Sequence, residues 1–262
     1  MHVRSPVRRG ILIGGSLLAT AGCGLVDPLL ALAVGGAAAA GMVGVACRPQ
    51  SDFYLRVLRR GPASRPRVAL TFDDGPDPLR TPQVLEVLAR EGVPATFFMI
   101  GRRALEAPAL VREVHGAGHE IGCHSFSHER TLPFRFPARV RREIRGGMEA
   151  LRRAGAPLTR WYRPPMGFTS PWLAMVAEAE DIRVLNWSVH SHDLASRSAN
   201  DIVQATSRLR AGDVVLFHDG ADRAGAGPAC LPGALPRVIE SIRARGLEPV
   251  TVSELFLHEE AA

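Results

Sequence analysis

From Val68 to Val252 the chain alternates short apolar, often β-branched runs with segments of helical period, and this alternation restricts the fold more than any other feature. Strand-length runs occur at residues 68–72, 95–100, 119–123, 160–163, 182–187, 214–217 and 249–252. Between them lie patterns such as Val84, Leu85 and Leu88 behind Thr81-Pro82, where Thr suits a helix cap and Pro the first helical position. Val140, Ile144, Met148 and Leu151 repeat the period, Gly155 suits the stop, and Ser170-Pro171 opens another helix in the same way. Such alternation predicts a parallel sheet covered by helices, either open or closed into a barrel. In both forms, polar residues just past the strand ends converge on one rim.

Residues 1–50 are of a different kind. Arg4, Arg8 and Arg9 precede an apolar run over 11–26, Asp27-Pro28 interrupts it, and a second run covers 29–46. Each approaches the roughly 20 residues needed to cross a bilayer. Arg8-Arg9-Gly10-Ile11-Leu12 has the form of an export signal, with Ala19-Thr20-Ala21 as a cleavage site, whereas Thr20-Ala21-Gly22 before Cys23 makes a poor lipidation site. The two runs can instead form a hairpin of membrane helices. A buried soluble hairpin is disfavoured, because neither run has a polar face. The expected organisation is a signal or membrane-anchoring region at 1–50, a linker at 51–65 and a catalytic domain at 66–262. That domain is expected on the extracytoplasmic side of a bacterial-type envelope, with the cytoplasmic face as the alternative, since both flanks are basic.

The net charge of +6 invites a nucleic-acid partner, but all 32 basic residues are Arg, and they spread along helical patterns beside Glu, as in Arg141-Arg142-Glu143. Nucleic acid is therefore not expected as a partner. The lack of Lys excludes a P-loop lysine, a Schiff base and a Ser-Lys dyad. Four scattered cysteines build no disulfide framework.

Polar clusters follow the apolar runs one after another. Asp73 and Asp74 end the first on a Gly75-Pro76 turn, so that one carboxylate can bind a cation while the other moves a proton. His124 and His128 follow the third, and their i, i+4 spacing predicts one face of a helical turn. With Asp74 they supply two imidazoles and a carboxylate, the set of hydrolytic zinc sites that keep a position open for water. Cys123 alternates to the opposite side and reads as core. Arg163, before Pro164-Pro165, brings a guanidinium to the rim after the fourth run. His190, His192 and Asp193 follow the fifth, and His218 and Asp219 the sixth, where burial and a carboxylate can tune the imidazole. Each cluster alone is commonly a solvated turn or a structural histidine. Their weight comes from pointing at one rim.

In chain order these stretches read Thr-Phe-Asp-Asp-Gly-Pro, His-Ser-x-x-His, Arg-Pro-Pro-x-Gly, Trp-Ser-x-x-x-x-Asp and Leu-Phe-His-Asp. Over about residues 66–255 the chain resembles the polysaccharide deacetylase, or NodB-homology, family. The resemblance implies a distorted (β/α) barrel, here of about seven parallel strands, and one divalent metal, with Zn2+ preferred, on Asp74, His124 and His128. It also implies Asp73 as general base, Arg163 holding that base, and His218 as general acid oriented by Asp193. An amide needs a polarised carbonyl and an activated water, and the oxyanion is expected against the metal and a backbone N–H near Met166, beside Pro165. Three departures stand out. His190-Ser191-His192-Asp193-Leu194 replaces a common Asp-x-x-Asp-Trp, so Leu194 offers a smaller wall to the acid or the acyl group, Met166 replaces a frequent Tyr, and Cys123 stands where Asn is usual, a change without a physical account.

The expected activity is metal-dependent removal of N-acetyl groups from amino sugars of a cell-envelope polysaccharide or oligosaccharide, by a monomer whose partners are an N-acylated glycan and a membrane. A deacylase or deformylase of a polyprenyl-lipid-linked amino sugar is the first alternative, motivated by the apolar segments and Leu194. A catalytically silent carbohydrate-binding relative is the second, and the joint presence of base, metal set, Arg and acid weighs against it.

Overall fold

The computed structural model describes residues 27–49, 51–157, 159–220 and 229–257. The apolar run at 11–26, with the export-signal and Cys23 readings attached to it, lies outside the described residues. The second run forms α1 (Pro28–Ala46), whose first turn is capped by Asp27 through bonds from the Leu29 and Leu30 N–H groups at 2.8 and 3.3 Å. By length and composition α1 suffices to cross a membrane, and the other described residues cover almost none of it.

From Arg67 the elements run β1 (Arg67–Asp73), α2 (Arg80–Glu91), β2 (Thr96–Met99), α3 (Gly101–Glu106), α4 (Pro108–Gly116), β3 (Glu120–Cys123), α5 (Pro137–Ala154), β4 (Trp161–Tyr162), α6 (Pro171–Ala179), β5 (Arg183–Val184), β6 (Val189–His190), α7 (Ala199–Ala205), β7 (Val214–His218), α8 (Leu231–Ala244), β8 (Glu248–Val250) and α9 (Val252–Phe256). The strands pair in parallel in the order β5-β4-β3-β2-β1-β7-β6, and β8 pairs with the first residues of β1. This is the parallel sheet that the alternation predicts, in the distorted, incompletely closed barrel form that the family resemblance implies. One strand is unexpected, because β6 is two residues long and too polar to leave an apolar run, and β5 keeps only Arg183–Val184 of the expected 182–187. β4 is also shorter than the expected 160–163, because Pro164 and Pro165 have no N–H to extend a ladder.

The expected linker packs against the domain for part of its length. Tyr54, Leu55 and Val57 are buried, Leu58 bridges to Leu185, and Arg60 bridges to Asp213, so the segment straps the open side of the barrel. Helix ends follow the sequence with one correction. Gly155 stops α5 at φ 99° and Ser170 caps α6 through the Leu173 N–H, as expected. Thr81 does not cap α2; the Asp77 carboxylate does, accepting from the Leu79 and Arg80 N–H groups at 2.9 and 3.0 Å. A charged acceptor one turn earlier is the stronger cap, and the Thr81 hydroxyl accepts from the Asp77 N–H at 2.8 Å while donating inward to Asp219.

The pleat of β1 sorts its side chains. Val68, Leu70 and Phe72 face the helices, where Phe72 stacks between Phe97 and Phe217 at centroid distances of 5.0 and 5.5 Å. Such pairs contribute about 1 kcal/mol each beyond area burial. Ala69 joins Phe98, Trp161, Leu185 and Val214 in a second cluster on the inner side. Thr71 and Asp73 share that inner face by period-2 alternation, and Asp73 is in register with His218 of β7. Strand periodicity alone thus brings an acid and a histidine together at the top of the sheet.

Candidate active site

Asp73 is buried, and its Oδ1 accepts from Arg163 Nη1 at 2.7 Å. Arg163 is fully buried, and every other bond it makes fixes it there. Nη1 also donates to Thr71 Oγ1 at 2.8 Å, Nε to the Leu185 carbonyl at 3.2 Å and Nη2 to the Asn186 carbonyl at 3.0 Å, while the guanidinium lies 4.1 Å over the Phe98 ring. A buried cation needs such pairing to be tolerated at all, and Asp73 is its one carboxylate partner among the described residues.

Beside this pair, Asp74 Oδ1 lies 3.6 Å from His124 Nε2 and 3.3 Å from His128 Nε2. His124 Nδ1 sits 2.7 Å from the Arg163 carbonyl. A carbonyl only accepts, so Nδ1 carries the proton and Nε2 presents its lone pair to the cluster. Burial, aided by the neighbouring His128, pushes His124 down to about 3 and keeps it neutral, as a ligand must be. Asp74 Oδ1 is buried and has no hydrogen-bond partner among the described residues. Donors bound to one tetrahedral Zn2+ at about 2.0–2.1 Å lie about 3.3 Å apart, close to the separations here. The three residues therefore fit a divalent cation.

The histidine pair is not on a helical turn as its spacing suggested. It lies in the loop after β3, where Ser125 (φ 63°) and His128 (φ 58°) are left-handed and Ser125 Oγ accepts from the His128 N–H at 3.0 Å. Asp74 (φ 73°), Met166 (φ 60°) and His192 (φ 57°) are left-handed too. Non-glycine residues held this way cost about 1–3 kcal/mol each and concentrate at functional sites.

On the β7 side, His218 Nδ1 donates to Asp193 Oδ1 at 2.9 Å, and the His218 backbone N–H donates to Asp193 Oδ2 at 2.7 Å. Ser191 Oγ donates to the same carboxylate at 2.8 Å. Burial opposes a charge on His218, but the Asp193 bond and charge, with Asp73 and Asp74 behind them, win and push the imidazole up to about 9. Its neighbour His190 is pushed down to about 4 by burial and by the His192 and His218 charges. Of the remaining expected residues, Pro165 is buried, whereas Met166 and Leu194 are exposed at the rim. All ten therefore fall on the strand ends or in the loops that follow them, around one mouth.

The family model for polysaccharide deacetylase matches residues 60–185. A chitooligosaccharide deacetylase of Sinorhizobium fredii is 37% identical over 169 residues, which cover 64% of this chain and 78% of that protein. A peptidoglycan-N-acetylglucosamine deacetylase of Bacillus cereus is 34% identical over 196 residues, covering 73% and 89%. The crystal structure of a peptidoglycan N-acetylglucosamine deacetylase with 4-naphthalen-1-yl-N-oxidanyl-benzamide superposes with a TM-score of 0.73 at 30% identity, covering 77% of this chain and 92% of that one. The chain belongs to the polysaccharide deacetylase family. It is a deacetylase-like amidohydrolase, acting on linear amide bonds rather than peptide bonds.

This deacetylase-type site also uses residues that the sequence pattern left unassigned. Thr71 shares the Arg163 nitrogen with Asp73, and Ser191 supports Asp193. Asp219 is fully buried, accepts from Thr81 Oγ1 at 2.5 Å and packs so tightly on the Asp73–Gly75 turn that a Cβ at Gly75 would lie 2.2 Å from its Oδ2. Burial, partly offset by Thr81 and reinforced by Asp74, raises Asp219 to about 7. The signals available in the sequence were polar residues on the inward parity of a strand or just past its end.

Proposed function

We propose that the protein is a metal-dependent deacetylase that removes N-acetyl groups from amino-sugar residues of a cell-envelope glycan. The observation that carries this reading is the three-donor cluster with an unpartnered, buried Asp74 oxygen, set between an Arg-paired carboxylate and a carboxylate-paired histidine. A divalent cation, with Zn2+ the preferred one, supplies Lewis-acid chemistry when held by Asp74, His124 and His128, polarising an amide carbonyl and acidifying water at the site.

The chain's own groups divide the remaining work. Asp73 takes a proton from the attacking water, and Arg163 holds its carboxylate in one orientation while that proton moves. The Met166 N–H, on its left-handed turn beside Pro165, is assigned to the developing oxyanion, as the family resemblance implies. His218 starts protonated through Asp193 and gives its proton to the departing sugar amine. Base and acid belong to neighbouring strand ends, in register across β1 and β7, which lets them flank one carbon. Leu194 forms an open wall beside the acyl group. The joint presence of these groups supports turnover over a silent binding role, and α1 is read as the membrane anchor.

The test uses metal-loaded full-length protein with an N-acetylated chitooligosaccharide, scored by mass loss and by metal content. Asp73→Asn is expected to keep the metal and lose at least about a hundredfold in turnover, whereas His124→Ala loses the metal first. Wild-type-like deacetylation by Asp73→Asn overturns the assigned base, and full metal content in His124→Ala overturns the cluster.

A further inference from the structure

The last turn of α1 is already part of the catalytic domain. Tyr54 Oη donates to the Met42 carbonyl at 3.0 Å, Ala46 is buried, and its carbonyl accepts from the Thr169 N–H at 3.0 Å. Three residues further on, the Pro49 carbonyl accepts from the Asn186 side-chain amide at 2.7 Å, and the same amide nitrogen donates to the Gly167 carbonyl at 2.9 Å. Gly167 adopts φ 68°, and a Cβ there would lie 2.9 Å from Pro49 and 2.8 Å from the Trp187 ring. The exit of the helix is thus pinned to the turn that carries Met166. From Trp187, two ring-to-ring steps of 5.7 Å to His190 and 6.1 Å to His218 reach the assigned acid.

The consequence is geometric. A span of about 20 residues fills the hydrocarbon core of a bilayer, α1 has 19 residues, and its final turn is docked instead of leading into a stalk. With α1 in a membrane, the domain sits at headgroup level with the mouth of the site beside the helix exit. That flank carries exposed apolar side chains: Met166, Trp172 and Met175 from the turn and α6, with Phe134 and Phe136 opposite them. The two groups adjoin, because Leu132 and Pro133 line one small void with Phe168 and Leu173. Exposed apolar clusters mark interaction surfaces, and an aromatic-bearing collar next to a spanning helix matches the chemistry of a bilayer interface.

We propose that the mouth of the site lies on the bilayer surface and acts on an amino sugar carried by a lipid in that same membrane. This rests on the deacetylation reading above and names its substrate class. A domain held flush with the membrane has little reach towards distant glycan strands, whereas a lipid-borne sugar arrives by lateral diffusion along the surface the collar touches.

The experiment places the full chain in vesicles and has two arms. In the first, brominated phospholipid is expected to quench Trp172 fluorescence, with the quenching largely lost in Trp172→Phe. Absence of quenching, or a Trp172 shielded only in a concentration-dependent dimer, overturns the surface assignment. In the second, an N-acetylglucosaminyl polyprenyl diphosphate in the vesicles is compared with a soluble chitotetraose. The lipid-borne sugar is expected to be turned over with at least about tenfold higher kcat/KM, and Trp172→Ser with Met175→Ser should lower that value about tenfold while leaving the soluble substrate unchanged. Equal efficiencies overturn the lipid-borne substrate and leave deacetylation standing. No turnover of either substrate by metal-loaded protein overturns the deacetylation reading, and with it the substrate class, while the quenching still decides the membrane contact.

Discussion

Asp193→Asn tests how the site sets the charge of its assigned acid. The carboxylate holds His218 at about 9 against an ordinary 6.5, overcoming burial, and that gap corresponds to ~3 kcal/mol favouring the imidazolium. Asn keeps the shape and an acceptor oxygen for Nδ1 but removes the charge. Asp73 is already paired with Arg163, and a cation on Asp74 offsets that carboxylate, so in the loaded protein little remains to oppose burial. His119, buried without a carboxylate bond, is pushed down to about 4. With His218 anywhere below 6.5, its protonated fraction at pH 7 falls at least about fourfold, and about a thousandfold at the level of His119. The kcat/KM profile should lose its rate towards alkaline pH in both proteins, with the midpoint in Asp193→Asn moved down by two pH units or more. Stability follows the same sign. The folded-state value lies above the unfolded one, so the stabilisation by the pair is fully present below pH 6.5 and is lost as pH rises through about 9. The variant should therefore be less stable than wild type at pH 6, with the pH-dependent part of the difference fading above pH 9 and the part due to the lost backbone acceptor persisting. NMR titration of the His218 ring reads the shift directly, and an unchanged alkaline limb in Asp193→Asn refutes the reasoning.

Arg163→Met should be far more damaging than a surface charge removal. It strands Asp73 as a buried unpaired carboxylate, so a loss of about 3–5 kcal/mol is expected in denaturant unfolding, and an unfolding midpoint within error of wild type would contradict the pairing. In the Arg163→Lys variant, which keeps the charge, the fold should largely survive while turnover falls, because one ammonium cannot bond Asp73, Thr71 and the Leu185 and Asn186 carbonyls from one fixed plane. Leu194→Trp should change the ranking of N-acyl sugars without changing metal content, and an unchanged ranking across several acyl groups argues against its role as a wall.

The parts of this architecture that were legible in the sequence are those repeated with a period or placed at a strand end. Inward parity in 68–72 already assigns Asp73, and the apolar run at 214–217 already delivers His218. The rest depends on single backbone reversals and on long-range pairs that leave no periodic trace. The His124–His128 pairing comes from left-handed Ser125 and His128, which no spacing rule distinguishes from a helical turn. Asn186 was hidden inside the apolar run at 182–187, although its fully buried amide joins the anchor exit to the Met166 turn. Thr81 reads locally as a helix cap, and only its contact with Asp219, 138 residues away, gives it another use. The strap at 54–60 has neither clean helical nor strand period, so its burial is a tertiary outcome.

The two adjacent aspartates show how the fold assigns different chemistry to identical side chains. Consecutive residues of a continuing strand point to opposite faces, and a straight extension of β1 would drive the Asp74 carboxylate into the layer of Phe72, Phe97 and Phe217. Its left-handed backbone turns it back to the mouth, at a cost that Asp bears more easily than a β-branched residue. The reversal is held on several sides: Ile100 N–H donates to the Gly75 carbonyl at 2.8 Å, the Asp219 N–H donates to the Asp73 carbonyl at 3.1 Å, and Arg103 donates to the Asp74 carbonyl. Gly75 and Gly220 leave room for it, since a Cβ at either would come within 2.4 Å of an oxygen of the clamp. Asp73, on the pleat, meets a buried cation from the protein itself, which suits the base role proposed for it. Asp74, one residue later, keeps a buried oxygen with no hydrogen-bond donor among the described residues and faces the His124 lone pair and His128 Nε2, an arrangement that a cation between them would complete electrostatically.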